Sequence, residues 1–167
     1  LTLERVLGSK RYLFYYLSTG IGAALVQELV WGLTLGDMTV TALARLNGIA
    51  TSQAKEILAL PEFASQAAEF SAMVANSLVT IGASGAVFGI LLAFGMIFPN
   101  RPLYLMFIPV PIKAKWMVIG YGVIELFFGV SGTMSSVAHF AHLGGMIFGF
   151  IMILYWKRNG TIHGTYY

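Results

Sequence analysis

LVTIGASGAVFGILLAFGMIF, residues 78–98, is a run of 21 residues without a charge, yet it sets Ser84 between Gly82 and Gly85 near its start. About 20 apolar residues suffice for a helix to cross the hydrocarbon core of a bilayer, so the run is predicted to be a membrane span. Working outward, a second uncharged run holds the same kind of anomaly: Ala138-His139-Phe140-Ala141-His142-Leu143-Gly144-Gly145-Met146-Ile147-Phe148-Gly149. A nucleophilic or ionisable side chain at membrane depth is expensive and is read as functional once a partner can be named. Ser84 and His142 name each other. A Ser and a His brought together are the minimum equipment for nucleophilic acyl transfer, the imidazole taking the hydroxyl proton as the oxygen attacks.

Composition supports a membrane class. Of the 167 residues, 57% are apolar and 10% are charged, with a mean hydropathy of +0.78; an average soluble domain is roughly 25% charged. With no cysteine, a disulfide framework and a thiolate metal site are excluded. Three histidines and seven acids leave little material for a metal centre, and none is expected. No cofactor is expected either, and nothing points to nucleic acid. The first residue is Leu1 rather than Met, and no charged segment with a cleavage site follows it. The chain is therefore expected to begin mid-protein.

Four stretches have the length of a span. The first runs from about Tyr12 to Trp31 with Glu28 near its end, and the second is the quoted run. A connection rich in proline (Pro99, Pro102, Pro109, Pro111) leads to Trp116–Trp156, which holds one charge, Glu125. That is too long for a single helix, and Gly129-Val130-Ser131-Gly132 offers a turn. The split gives Trp116–Phe128 with flanks and Met134–Trp156. The fold expected is all-α, a polytopic membrane helix bundle.

Lys and Arg gather in cytoplasmic loops. Arg5, Lys10, Arg11, Arg101, Lys113, Lys115, Lys157 and Arg158, eight of the ten basic residues, fall on one side of the four-span arrangement. Both ends of the chain are therefore expected in the cytoplasm, and the second and fourth spans run from outside to inside. Ser84 lies about six residues into its span and His142 about eight into its own, each on the order of 10 Å below the outer end. Similar depth on helices of the same direction permits the two side chains to meet. Residues 33–76, between the first two spans, are a different material that holds Asp37, Glu56, Glu62 and Glu69. Their apolar positions at helical spacing predict one or two short amphipathic helices on the outer surface, an outer-side loop or insertion within one domain of 167 residues.

Each motif has a bland reading beside the chemical one. Gly82, Ser84, Gly85 and Gly89 could be packing residues alone, because small side chains let membrane helices approach closely. The flanking glycines, however, also expose the hydroxyl, leave room for a substrate backbone, and free N–H groups at the helix start for an oxyanion. His142, Gly145 and Gly149 share one helix face, which Gly85 and Gly89 can meet. His139, one turn nearer the outside, reads as an interfacial polar residue in contact with water, or with His142 as half a metal site that lacks a third ligand. Glu125 reads first as a residue hydrogen-bonded within the bundle and second as a proton-handling group. Pro109 to Trp116 reads as a cytoplasmic membrane entry with an aromatic anchor.

At these residues the chain resembles the rhomboid family of intramembrane serine proteases. Gly82-Ala83-Ser84-Gly85 is similar to the family's Gly-x-Ser-Gly motif. Ala141-His142, Gly145 and Gly149 are similar to its Ala-His-x-x-Gly-x-x-x-Gly helix, which puts the family's catalytic His on His142 rather than His139. Leu3 to Lys10 resembles the lead into the family's third core helix, and Pro109 to Trp116 a loop common in bacterial members. The resemblance covers nearly all of the chain except residues 33–76. It implies four helices of a six-helix core, Ser84 as nucleophile, His142 as general base and acid in a dyad without an Asp, and the Ser84 N–H at the oxyanion. It also implies transmembrane helices as substrates, cut near the outer face, and a location in the lipid bilayer of a bacterial inner membrane. Two departures stand out. A family Tyr that stacks on the His is Phe88 here, and the family's His-x-x-x-Asn pair belongs to helices expected upstream of Leu1.

Two other functions are open to such a chain. A rhomboid-like protein that binds membrane clients without cutting them would have lost Ser or His. A small transporter or channel subunit would use His139, His142 and Glu125 as a proton path, but the four spans show no repeat symmetry.

Overall fold

The computed structural model of the chain describes residues 2–79, 83–105, 108–131 and 138–162. The elements run α1 (Thr2–Leu7), α2 (Ser9–Asn47), α3 (Thr51–Ala59), a 3₁₀ turn (Pro61–Phe63), α4 (Ala64–Ser77), α5 (Ser84–Ile97), β1 (Pro102–Leu105), β2 (Ile108–Lys113), α6 (Ala114–Ser131) and α7 (His139–Arg158). The class is all-α and polytopic, with one small hairpin. Among the described residues α2, α6 and α7 are long and apolar enough to cross a membrane. α5 is apolar but has 14 residues, about 21 Å of helix at ~1.5 Å per residue, short of the ~30 Å of a bilayer core. Its neighbours α2, α6 and α7 shelter it instead.

The contacts divide the chain into two units, residues 1–27 with 82–167, and residues 28–81. In the first, small residues bring helices together. A side chain on Gly85 would strike Ala23 of α2, one on Gly89 would strike Thr19, and one on Gly144 would strike Val26. A Cβ on Gly145 would overlap the Gly85 carbonyl oxygen, and one on Gly149 would fall on the Tyr15 hydroxyl with the Gly89 Cα behind it. Gly85, Gly89, Gly145 and Gly149 therefore lie backbone against backbone, the face-to-face packing that their spacing predicts. Tyr15 adds a buried hydrogen bond, its hydroxyl donating to the Gly89 carbonyl at 2.7 Å. An apolar core of Leu3, Leu7, Tyr15, Ile97, Phe98 and Ile153 closes the end of the bundle away from Ser84. At that end Lys157 donates to the Met96 carbonyl at 2.8 Å, satisfying a carbonyl that the last turn of α5 leaves without an intrahelical donor.

Several boundaries differ from the expected ones. The second span was expected from Leu78, but Leu78 and Val79 are not helical, and α5 begins at Ser84. Gly and Ser are poor interior helix residues, and Ser favours the start. The other two apolar helices run Ala114–Ser131 and His139–Arg158 in place of Trp116–Phe128 and Met134–Trp156; of the turn expected at Gly129-Val130-Ser131-Gly132, the first three residues continue α6 as helix, while residues 132–137 lie outside the described ones, as does Gly82. The proline-rich connection is a hairpin, with Leu103 opposite Ile112 and Pro102 opposite Lys113. Proline donates no ladder hydrogen bond, but a two-stranded ribbon has open edges that tolerate it. The ribbon is tied at its base by Ala114 N–H to the Arg101 carbonyl, 2.9 Å.

The helix of the first span does not end near Trp31 either. α2 has 39 residues, and the hydroxyls of Thr34, Thr39 and Thr41 fold back onto the carbonyls of Val30, Leu35 and Asp37 at 2.8 Å each. The polar side chains thus satisfy themselves within the helix and do not stop it. Gly48 does, with φ +64, its neighbour Ile49 donating back to Ala44 at 3.0 Å in the left-handed termination that glycine favours. In the unit of residues 28–81, α3 and α4 pack beside the end of α2 around an apolar cavity of about 470 Å³ lined by Leu43, Ile57, Phe63, Phe70 and Met73 among others. α3 and α4 lie in the segment where one or two short amphipathic helices were expected, and the end of α2 takes up most of the rest of it.

Candidate active site

Ser84 is the first helical residue of α5 and His142 the fourth of α7, both nearer to their helix starts than the sequence spacing suggested. The glycine faces of α5 and α7 hold these starts together, and the Ser84 Oγ lies 2.9 Å from the His142 Nε2. Ser84 is exposed while His142 is buried at 8% exposure, so the hydroxyl faces open space and the imidazole backs it from within. As the first residue of the helix, Ser84 carries an N–H for which the helix supplies no acceptor, and the helix dipole puts partial positive charge there. An oxyanion near Oγ would meet that N–H.

Phe88, one turn after Ser84, stacks on the His142 ring with centroids 4.2 Å apart and planes 8° from parallel. It stands in turn edge-on to Tyr121 of α6 at 6.1 Å. The stack removes rotational freedom from the imidazole without a hydrogen bond. Behind the site, the buried Gln27 of α2 accepts the Ala141 N–H through Oε1 at 3.1 Å, fixing the first turn of α7. A Gln inside the first span was not singled out in the sequence. Its signal is there, because a buried amide needs a partner, but nothing local says which.

Glu125 and His139 meet, a pairing the sequence offered only as part of a proton path. Glu125, in the middle of α6, is buried at 9% exposure, and its Oε2 accepts from His139 Nδ1 at 2.7 Å. The same oxygen lies 3.0 Å from His142 Nδ1. That nitrogen is buried and lacks an aligned acceptor, so this second approach is electrostatic rather than a formed hydrogen bond. His139, expected at the interface with water, is buried at 6% exposure and lies against Phe128 at 5.7 Å. Among the described residues no group of three or more His, Asp or Glu is arranged to hold a metal ion. The residues that come together are Ser84, Gly85, Phe88, His139, His142, Gly145 and Gly149, with Glu125 and Gln27 added. Chemically, a hydroxyl on an imidazole nitrogen beside a helix N-terminus can attack a carbonyl and hold the resulting oxyanion.

A family model described as the Rhomboid domain matches residues 1–159. No curated protein and no solved structure matches the chain.

Proposed function

The chain belongs to the rhomboid family, and on that premise we propose that it is an intramembrane serine endopeptidase that cuts transmembrane helices near the outer face of the bilayer. One observation carries the reading: His142 Nε2 stands 2.9 Å from the Ser84 Oγ, within the reach a general base needs. His142 takes the proton as Oγ attacks the scissile carbonyl, and the Ser84 N–H holds the oxyanion. The imidazolium then protonates the leaving amine, and an acyl-enzyme on Ser84 remains. Water enters from the exposed side of Ser84, gives its proton to His142, and releases the acid. Phe88 keeps the ring facing Oγ through both halves.

The lipid bilayer is the working environment and other membrane proteins are the substrates. Nucleic acid and cofactors have no part in this reading. Orientation follows from charge: Arg101 and Lys113 between α5 and α6, Lys115 at the start of α6, and Lys157 and Arg158 in the last turn of α7 favour the cytoplasmic side for both ends of this chain. The site is then near the outer ends of α5 and α7, in a membrane such as the bacterial inner membrane.

The test is a fluorophosphonate probe on the full-length protein beside cleavage of a transmembrane reporter. Wild type labels at Ser84 and cuts; Ser84→Ala does neither while remaining folded, since a small residue still fits. A variant cutting within about tenfold of wild type sinks the assignment, because loss of a nucleophile costs far more. A client-binding relative without protease activity would bind the reporter and leave Ser84 unlabelled.

A further inference from the structure

A carboxylate buried in a membrane helix is costly unless hydrogen-bond donors surround it. Glu125 has the Nδ1 atoms of two histidines around one oxygen, His139 at 2.7 Å and His142 at 3.0 Å. The His142 ring thus has Nε2 in hydrogen-bond contact with the Ser84 Oγ at 2.9 Å, while its Nδ1 lies close to Glu125 without an aligned hydrogen bond. We propose that Glu125 is a positioning residue, holding His142 with its proton on Nδ1 so that Nε2 is the free base toward Ser84. This rests on the protease reading above and goes beyond the dyad without an acidic member that the resemblance implies.

The geometry gives each member a part. An ionised carboxylate can only accept, so the His139 nitrogen that bonds it carries a proton, and the negative charge 3.0 Å from His142 Nδ1 favours a proton there as well. For His142 that leaves the lone pair on Nε2, the nitrogen in contact with Oγ. When the proton moves from Oγ to Nε2 the ring becomes a cation, and a carboxylate 3.0 Å away stabilises it more strongly in a water-poor interior than in bulk water. His139 holds the carboxylate itself, because the aligned hydrogen bond is the one from His139. Phe88 fixes the plane of the ring and Glu125 the nitrogen that bears the proton. The two constraints come from different helices, α5 and α6, and meet on a third.

The experiment compares full-length wild type, Glu125→Gln and Glu125→Asp by kcat and KM on a transmembrane substrate. It also uses ¹⁵N NMR of histidine-labelled protein, with the His142 signal identified by its loss in His142→Ala. Glu125→Gln is expected to lower kcat about 10- to 10³-fold, with KM within about twofold, as loss of a transition-state contribution requires. Glu125→Asp, which keeps the charge, recovers at least part of that loss. The wild-type spectrum carries the proton of neutral His142 on Nδ1. Glu125→Gln turning over at the wild-type kcat overturns the inference, as do equal losses in the Gln and Asp variants. A wild-type His142 protonated on Nε2 overturns it as well, and that spectrum decides even where a variant fails to fold. Should wild type neither cut nor label Ser84, the protease reading fails, while the nitrogen spectrum still decides the placement of the proton by Glu125.

Discussion

Ser84 and His142 were legible in the sequence because polar groups in apolar runs are rare enough to be noticed singly. The choice between His142 and His139 came from the glycines, since only His142 shares its face with Gly145 and Gly149. The two histidines share Glu125 but otherwise have distinct surroundings: His142 touches Ser84 and Phe88, and His139 hydrogen-bonds Glu125 and lies against Phe128. His142→Ala is therefore expected to abolish reporter cleavage, and His139→Ala to keep it measurable, within about 10²-fold of wild type. A dead His139 variant beside an active His142 variant would reverse the roles. Phe88 gives a finer test. An aromatic stack is worth about 0.5–1.5 kcal/mol, so Phe88→Ala should lower kcat roughly two- to tenfold, while Phe88→Tyr keeps the ring and the rate. Equal rates in Phe88→Ala and wild type would leave the stack without a catalytic role. Glu125 was visible as the lone charge of its span, but its partners sit on α7, and no sequence spacing links α6 to α7.

At the scale of elements, periodicity and small-residue spacing gave the apolar helices and their facing surfaces. The ends were another matter. Ser84 at the helix start follows from local preference, yet α2 continues through three threonines whose hydroxyls bond to their own helix and do not stop it. The hairpin between α5 and α6 was hidden because its prolines argue against a strand in any context but an open ribbon. The α5–α7 contact is open to a direct test. A methyl group on Gly145 meets the Gly85 carbonyl, and backbone cannot move aside as a side-chain tip can. Gly145→Ala should therefore destabilise the protein by about 1–3 kcal/mol, read as a lower thermal midpoint in detergent, and slow Ser84 labelling at least tenfold as the two helix starts separate. Gly36→Ala, at a position where a Cβ meets nothing within 4 Å, is the control and should match wild type or exceed it by up to ~1 kcal/mol. Equal behaviour of the two variants would mean that the glycine faces do not set the site.

For the whole molecule, orientation is the open quantity, and the absence of cysteine makes it easy to measure. Single cysteines at Asn100 and Asn159, beyond the ends of α5 and α7, should react with an impermeant maleimide only after the cytoplasmic membrane is permeabilised. One at Ser65, within residues 28–81, should react in intact spheroplasts. The reverse pattern would invert the topology and place the site near the inner face. By itself the sequence determined the membrane class, the places of the apolar runs, the family, and the two residues brought together at the proposed site. Those follow from quantities that add along the chain: hydropathy, charge bias, and small residues at helical spacing. Only the tertiary structure decided that Glu125 lies against both histidines, that Gln27 ties down the first turn of α7, and that Tyr15 hydrogen-bonds the backbone of α5. Each rests on a buried polar group hydrogen-bonded to another helix, Glu125 to His139, Gln27 to Ala141 and Tyr15 to Gly89, 14, 114 and 74 residues away in sequence. Burial dictates that such a group must find a partner, but the packing of the helices dictates which.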